Sequence, residues 1–247
     1  MTNSTEPVPM TRGQQLYLWL SAISVTCLLI GDVVGIKLFR IPLGFSVSGI
    51  DSIVHTCGML AFPVTFLITD VANEFFGKRA ARRIALLSFS MAILAFLFIN
   101  VSLAMPSLDA DFNIKPETFK AVFGNARIMY VASLTAYLVG TFCDISIFAL
   151  LKRVTRGKMI WLRSTGSTVI SQMIDSLVVT YLAFSLGRTL FPAPDSVPMP
   201  LSEVFKTAAT GYSLKLVIAL CLTPVIYLCH GFIKRVFHLT PVPADQQ

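Results

Sequence analysis

The chain has 247 residues, 55% of them hydrophobic and only 13% charged, with a formal net charge of +7 and a mean hydropathy of +0.73. A soluble domain carries roughly a quarter charged residues, so these values exclude an ordinary soluble globule and indicate a polytopic membrane protein. The positive balance does not indicate a nucleic-acid partner, because the cations sit in short clusters between apolar runs, where the positive-inside rule puts them.

Residues 1–15 are polar, contain Pro7 and Pro9, and are expected to form a flexible cytoplasmic N-terminus. The run 16-LYLWLSAISVTCLLIGDVVGIK-37 is too long for a signal-peptide core and has no small-x-small cleavage site, so it reads as a retained first span. The next stretch, 38-LFRIPLGFSVSGID-51, is punctuated by Pro42, Gly44 and Gly49. It predicts a short extended or re-entrant segment between helices one and two, covered by protein wherever it enters the bilayer. Five further apolar runs follow at about 56–76, 84–105, 127–151, 164–186 and 208–232. Each is long enough to cross about 30 Å of hydrocarbon at 1.5 Å per helical residue. The expected fold is all-α: a single six-helix transmembrane domain over residues 16–236, with residues 237–247 a flexible cytoplasmic C-terminus.

Orientation follows from the links. Lys78, Arg79, Arg82 and Arg83 follow span two, Lys152, Arg153, Arg156, Lys158 and Arg163 follow span four, and Lys234 and Arg235 follow span six. With six spans all of these fall on one side, together with Arg12. The opposite links carry Asp109, Asp111, Glu117, Asp195 and Glu203. Both termini are therefore expected in the cytoplasm.

Enzyme and cofactor signals are lacking. Cys27, Cys57, Cys143, Cys221 and Cys229 are odd in number and form no C-x-x-C, so they read as small buried hydrophobes. His55, His230 and His238 are scattered, with no H-E-x-x-H, no G-x-S-x-G and no G-x-x-x-x-G-K-[ST]. No catalysis, metal, cofactor or intrinsic ATPase is expected.

The informative residues are polar ones inside the spans. An ionised side chain at mid-bilayer costs at least a few kcal/mol, so it marks an ion pair, a watery cavity or a ligand. Asp70, Asn73 and Glu74 stand at i, i+3 and i+4 on one helical face, and Thr168, Gln172 and Asp175 form a stripe that Ser164 continues. Asp144 and Lys215 lie in other spans. Plain structural readings exist: Glu74 snorkelling or pairing with Arg79 or Arg82, Lys215 snorkelling or pairing with Asp144 or Asp175, and the hydroxyls acting as helix–helix contacts. Yet four carboxylates (Asp70, Glu74, Asp144 and Asp175) face one lysine. The surplus calls for a polar, donor-rich solute. A guanine-like edge suits the set, since one carboxylate accepts N1–H and N2–H₂ as a fork while an amide or lysine donates to the exocyclic oxygen. Phe75, Phe142, Tyr181 or Tyr212 are candidate stacking rings.

Four segments carry a family resemblance: 63-PVTFLITDVANEFFG-77, 127-RIMYVASLTAYLVGTFCDISIF-148, 161-WLRSTGSTVISQMIDSLVV-179, and 211-GYSLK-215 with Pro224 and Tyr227 beyond it. Together they cover spans two, four, five and six, and resemble the queuosine-precursor transporters, once grouped as vitamin uptake transporters. The resemblance implies a multi-pass protein of the bacterial inner membrane. It would import 7-cyano-7-deazaguanine or 7-aminomethyl-7-deazaguanine for queuosine salvage, by secondary transport or facilitated diffusion. The alternative is a substrate-binding subunit for purine-like or vitamin solutes that needs a separate ATP-driven module. Its implied binding residues are Asp70, Asn73, Glu74, Asp144, Gln172, Asp175 and Lys215, with Arg127, Arg163, Thr168 and Tyr212 in secondary positions. Asp175 or Glu74 is expected to take the guanine-like edge, with Gln172, Asn73 and Lys215 filling the remaining bonds, and Asp144 to meet an ammonium or carry a proton. The expected partners are the deazaguanine solute and the lipid bilayer; a homodimer or an accessory module stays open.

Overall fold

The structure is a computed structural model that describes residues 9–47, 50–124, 127–190 and 197–243. Helix α1 (Arg12–Val34) opens with a capping box: Thr11 Oγ1 accepts from Gln14 N–H at 3.2 Å and Gln14 Oε1 accepts from Thr11 N–H at 2.9 Å. The stretch expected to be extended or re-entrant forms an antiparallel hairpin, β1 (Leu38–Val47) with β2 (Ile50–Thr56), in which Leu38 faces Thr56 and Pro42 faces Ser52. The pairing satisfies backbone groups that lipid cannot. A 3₁₀ turn, Cys57–Leu60, then passes so close to α1 that a Cβ on Gly58 would come 2.4 Å from the Gly31 carbonyl oxygen. Only glycine fits there.

Helix α2 (Phe62–Ala104) contains both runs expected as spans two and three. Straight, its 43 residues would reach about 65 Å, twice a hydrocarbon core. It is not straight. Gly77 has φ 82° and ψ 170°, a backbone state essentially reserved for glycine. Before Gly77 the chain runs antiparallel to α1, with Ala61 beside Gly31 and the Phe76 ring against Tyr17 at 5.4 Å. After it the chain runs parallel to α1: Tyr17 Oη donates to the Ala80 carbonyl at 3.1 Å, Ser24 and Ser88 hydroxyls meet at 2.9 Å, and Leu28 packs in one cluster with Ala92. The chain therefore reverses at Gly77, directly before the cations Lys78 and Arg79.

The rest is helical: α3 (Pro116–Phe123), α4 (Arg127–Val154), α5 (Ile160–Thr180), a π turn (Tyr181–Leu186) running into α6 (Gly187–Leu190), and α7 (Leu201–Val236), which contains Pro224. Helix α5 packs against both α4 and α7, and α4 packs against α2. Small buried residues on α5, Ser164, Ser167, Thr168 and Ser171, permit that close approach. Beyond α7, Phe237 and Leu239 pack on the apolar core and Val242 N–H donates to the Glu74 carbonyl at 2.9 Å. With Gly77 non-helical, that carbonyl cannot keep its usual partner four residues on.

Large apolar side chains such as Trp19, Phe98 and Leu228 are exposed on the outside of the bundle, whereas Asp70, Asn73, Glu74, Asp144, Arg163 and Lys152 are buried within it. That distribution is the reverse of a soluble protein and suits hydrocarbon as solvent. Among the described residues, five helical stretches, built on α1, α2, α4, α5 and α7, are long and apolar enough to cross a membrane. The architecture is an all-α polytopic membrane protein with one short hairpin.

Candidate functional site

Helix α5 organises the interior. From Arg163 to Asp175 it presents a polar side chain at nearly every turn, over a length of about 18 Å. At its first turn stands an ion cluster. Arg163 Nη2 donates to Glu74 Oε1 at 2.7 Å, and Lys152 Nζ lies 3.0 Å from Glu74 Oε2 and 3.1 Å from the Glu74 carbonyl oxygen. All three are 2–3% exposed. His230 Nε2 is 3.7 Å from the same carboxylate. Arg163 Nη1 also donates to the carbonyls of Gly157 at 2.6 Å and Lys158 at 3.2 Å, and the guanidinium lies 5.8 Å from the Phe148 ring centre.

Residues 164–172 meet two further carboxylates. Ser164 Oγ donates to Asp70 Oδ2. One turn on, Thr168 Oγ1 and Ser171 Oγ donate to Asp144 Oδ1 at 3.4 and 3.1 Å. Asn73 Nδ2 ties α2 to α4 through the Ile145 carbonyl at 3.0 Å. Three buried acceptor atoms here have no hydrogen-bond partner among the described residues: Asp70 Oδ1, Asp144 Oδ2 and Gln172 Oε1. A narrow pocket with room for about one water lies beside Asp70, Ser164, Thr165 and Thr168. At the far end of the stripe Asp175 is ion-paired with Lys215, whose ammonium stands 5.8 Å from the Phe62 ring centre.

One sequence expectation needs correction, and two of the alternatives it left open are decided. The interior does not set one lysine against four acids: Lys152 and Arg163, expected in a cytoplasmic link, are buried and paired with Glu74. Nor does Glu74 pair with Arg79 or Arg82; Arg82 instead donates to Ser146 Oγ at 3.2 Å and stands over Phe142 at 5.6 Å. Lys215 takes Asp175 rather than Asp144. Tyr212 is half-buried on α7, and Arg127 opens α4 with its side chain outside the described residues. Sequence reasoning missed Lys152 and His230 as members of this interior. A signal existed for Lys152: Asp144, Phe148 and Lys152 follow at steps of four, so the lysine continues a buried face.

An apolar exterior around an internal polar stripe defines a multi-pass membrane protein with a polar interior. The chain belongs to the family described as "Putative vitamin uptake transporter", whose sequence profile matches residues 56–229. It is 26% identical over 243 residues to the "Queuosine precursor transporter" of Escherichia coli (strain K12), covering 96% of each chain. It is 31% identical over 140 residues to the "Probable queuosine precursor transporter" of Bacillus subtilis (strain 168), and 31% over 138 residues to that of Haemophilus influenzae. These two matches take in 56% of this chain and span only 58% and 55% of the relatives' own lengths. No solved structure matches the chain.

Proposed function

We propose that this protein moves queuosine precursors of the 7-deazaguanine class across the cytoplasmic membrane of a bacterium. The observation that carries the reading is a set of buried acceptors: among the buried polar atoms without a hydrogen-bond partner in the described residues, which also include the donors Arg163 Nε and Ser176 Oγ, Asp70 Oδ1, Asp144 Oδ2 and Gln172 Oε1 can accept from a guest. Leaving a buried acceptor unsatisfied costs about 1–3 kcal/mol, so a guest with several donors gains what the empty protein forgoes. A guanine-like edge has N1–H and N2–H₂ side by side. The relatives' names supply the solute; the acceptors supply the reason that it binds.

Glu74 and Asp175, expected to take the guanine edge, already hold protein cations in this conformation. The guanine-like edge therefore falls to the free Asp144 Oδ2, with Gln172 Oε1 the second free acceptor. The pocket next to Asp70 is too small for a bicyclic base, so the solute enters only when α5 parts from α4 or α7. The reversal at Gly77 makes two crossings of α2, which with α1, α4, α5 and α7 gives six and leaves both termini on the cytoplasmic side with the clustered cations. In this reading the hairpin β1–β2 lies at the outer mouth of the bundle, where His55 approaches Gly211.

Purified protein in liposomes tests the proposal by counterflow of labelled 7-cyano-7-deazaguanine, expected to be rapid and blocked by excess unlabelled base. No exchange by the chain alone would overturn a self-sufficient transporter and favour a subunit of an ATP-driven assembly.

A further inference from the structure

Charge within the bundle does not balance, and the imbalance is local. Along the α5 stripe lie four carboxylates, Glu74, Asp70, Asp144 and Asp175, against three cations, Lys152, Arg163 and Lys215. Asp175 and Lys215 neutralise each other. Glu74 takes both remaining cations, so the cluster at the start of α5 carries one positive charge in excess. Among the described residues Asp70 and Asp144 have only hydroxyl partners, and they reach α5 one turn apart, at Ser164 and at Thr168 with Ser171. If both were ionised, the stripe would hold one uncompensated negative charge in a medium that charges at least a few kcal/mol for it, and two like charges would face each other. One proton on the pair makes the whole stripe neutral.

We propose that Asp70 and Asp144 hold a single exchangeable proton between them, and that this proton accompanies the solute through the membrane. The inference rests on the transport reading above. Asp144 accepts two hydroxyl hydrogen bonds and Asp70 one, so Asp144 is the better equipped to keep the negative charge and Asp70 the proton. That division leaves Asp144 Oδ2 and Gln172 Oε1 to accept the base's donors, while the free oxygen of Asp70 carries the proton and is a donor. His230 is not the alternative proton holder: it faces Glu74, which Lys152 and Arg163 already crowd with positive charge. A sodium ion would balance the charge equally well, whereas a proton on a carboxyl needs no added space beside Asp70, where there is room for about one water.

Proteoliposomes with the membrane potential clamped at zero provide the test, using 7-cyano-7-deazaguanine because it carries no ammonium. With the outside one pH unit more acidic, one-to-one coupling concentrates the base inside about tenfold, and replacing sodium by choline changes nothing. Equilibration to equal concentrations, with counterflow intact, overturns the proton while sparing the transport reading; so does accumulation that follows sodium. If no flux of any kind is seen, the transport reading fails, and infrared spectroscopy decides the proton by itself. A protonated-carboxyl C=O band at neutral pH that Asp70→Asn removes, or that Asp70→Glu displaces should the Asn variant not fold, supports the shared proton. A wild-type spectrum without that band overturns it.

Discussion

Removing Glu74 tests the interior most directly. Glu74 is 3% exposed, and its carboxylate holds Arg163 at 2.7 Å and Lys152 at 3.0 Å. In Glu74→Ala both cations remain buried with no acid, and breaking a buried ion pair costs about 3–5 kcal/mol. For a chain of this size each kcal/mol corresponds to about 2–4 °C in Tm, so the variant is expected to melt about 6–20 °C lower. Thermal unfolding of detergent-purified protein, followed by near-ultraviolet circular dichroism, measures this. Glu117→Ala on α3, a helix with no buried residue, is the control and is expected to stay within about 0.5 kcal/mol of wild type. A triple variant, Glu74→Leu with Lys152→Met and Arg163→Leu, removes the whole cluster and is expected to recover part of the loss. Recovery stays partial because the Gly157 and Lys158 carbonyls lose their Arg163 donor. A Glu74→Ala protein that melts with the Glu117→Ala control would refute the buried cluster.

Three other outcomes follow from the same geometry. Asp175→Asn strips Lys215 of its counter-charge and is expected to reduce uptake per molecule of protein by about tenfold or more, equivalent to about 1.4 kcal/mol; uptake at the wild-type level in membranes with equal protein would reduce the pair to a helix contact. Gly77→Ala forces a Cβ into φ 82°, ψ 170° and is expected to cost about 1–3 kcal/mol, read as a lower Tm than for Ala at the α-helical Gly231, where a Cβ meets nothing within 4 Å. For the bound base, a guanine-like edge at 100 times its dissociation constant stabilises the protein by about 2.7 kcal/mol, whereas adenine, lacking N1–H and N2–H₂, is expected to give no thermal shift at the same concentration; equal shifts would contradict the acceptor set built from Asp144 and Gln172.

Composition and periodicity alone identified a polytopic helical membrane protein, because apolar runs of about 20 residues separated by clustered cations suit few environments except a bilayer. They also marked Asp70, Glu74, Asp144, Gln172 and Asp175 as anomalies, since hydrocarbon makes every polar atom in a span conspicuous. The break between spans two and three was legible as a cationic link, but not that Gly77 would turn the chain within one residue, because its φ and ψ depend on what packs around the bend. Partner choice was illegible for a like reason. Lys152 follows Leu151 and precedes Arg153, and by local sequence it belongs to a cytoplasmic cluster. Only the packing of α4 on α2 and α5 carries it inward to Glu74 while Arg153 stays outside. A sequence states which charges a membrane interior must accommodate. Pairing depends on short distances between groups that stand 78 and 89 positions apart along the chain, and those distances exist only once the helices have packed.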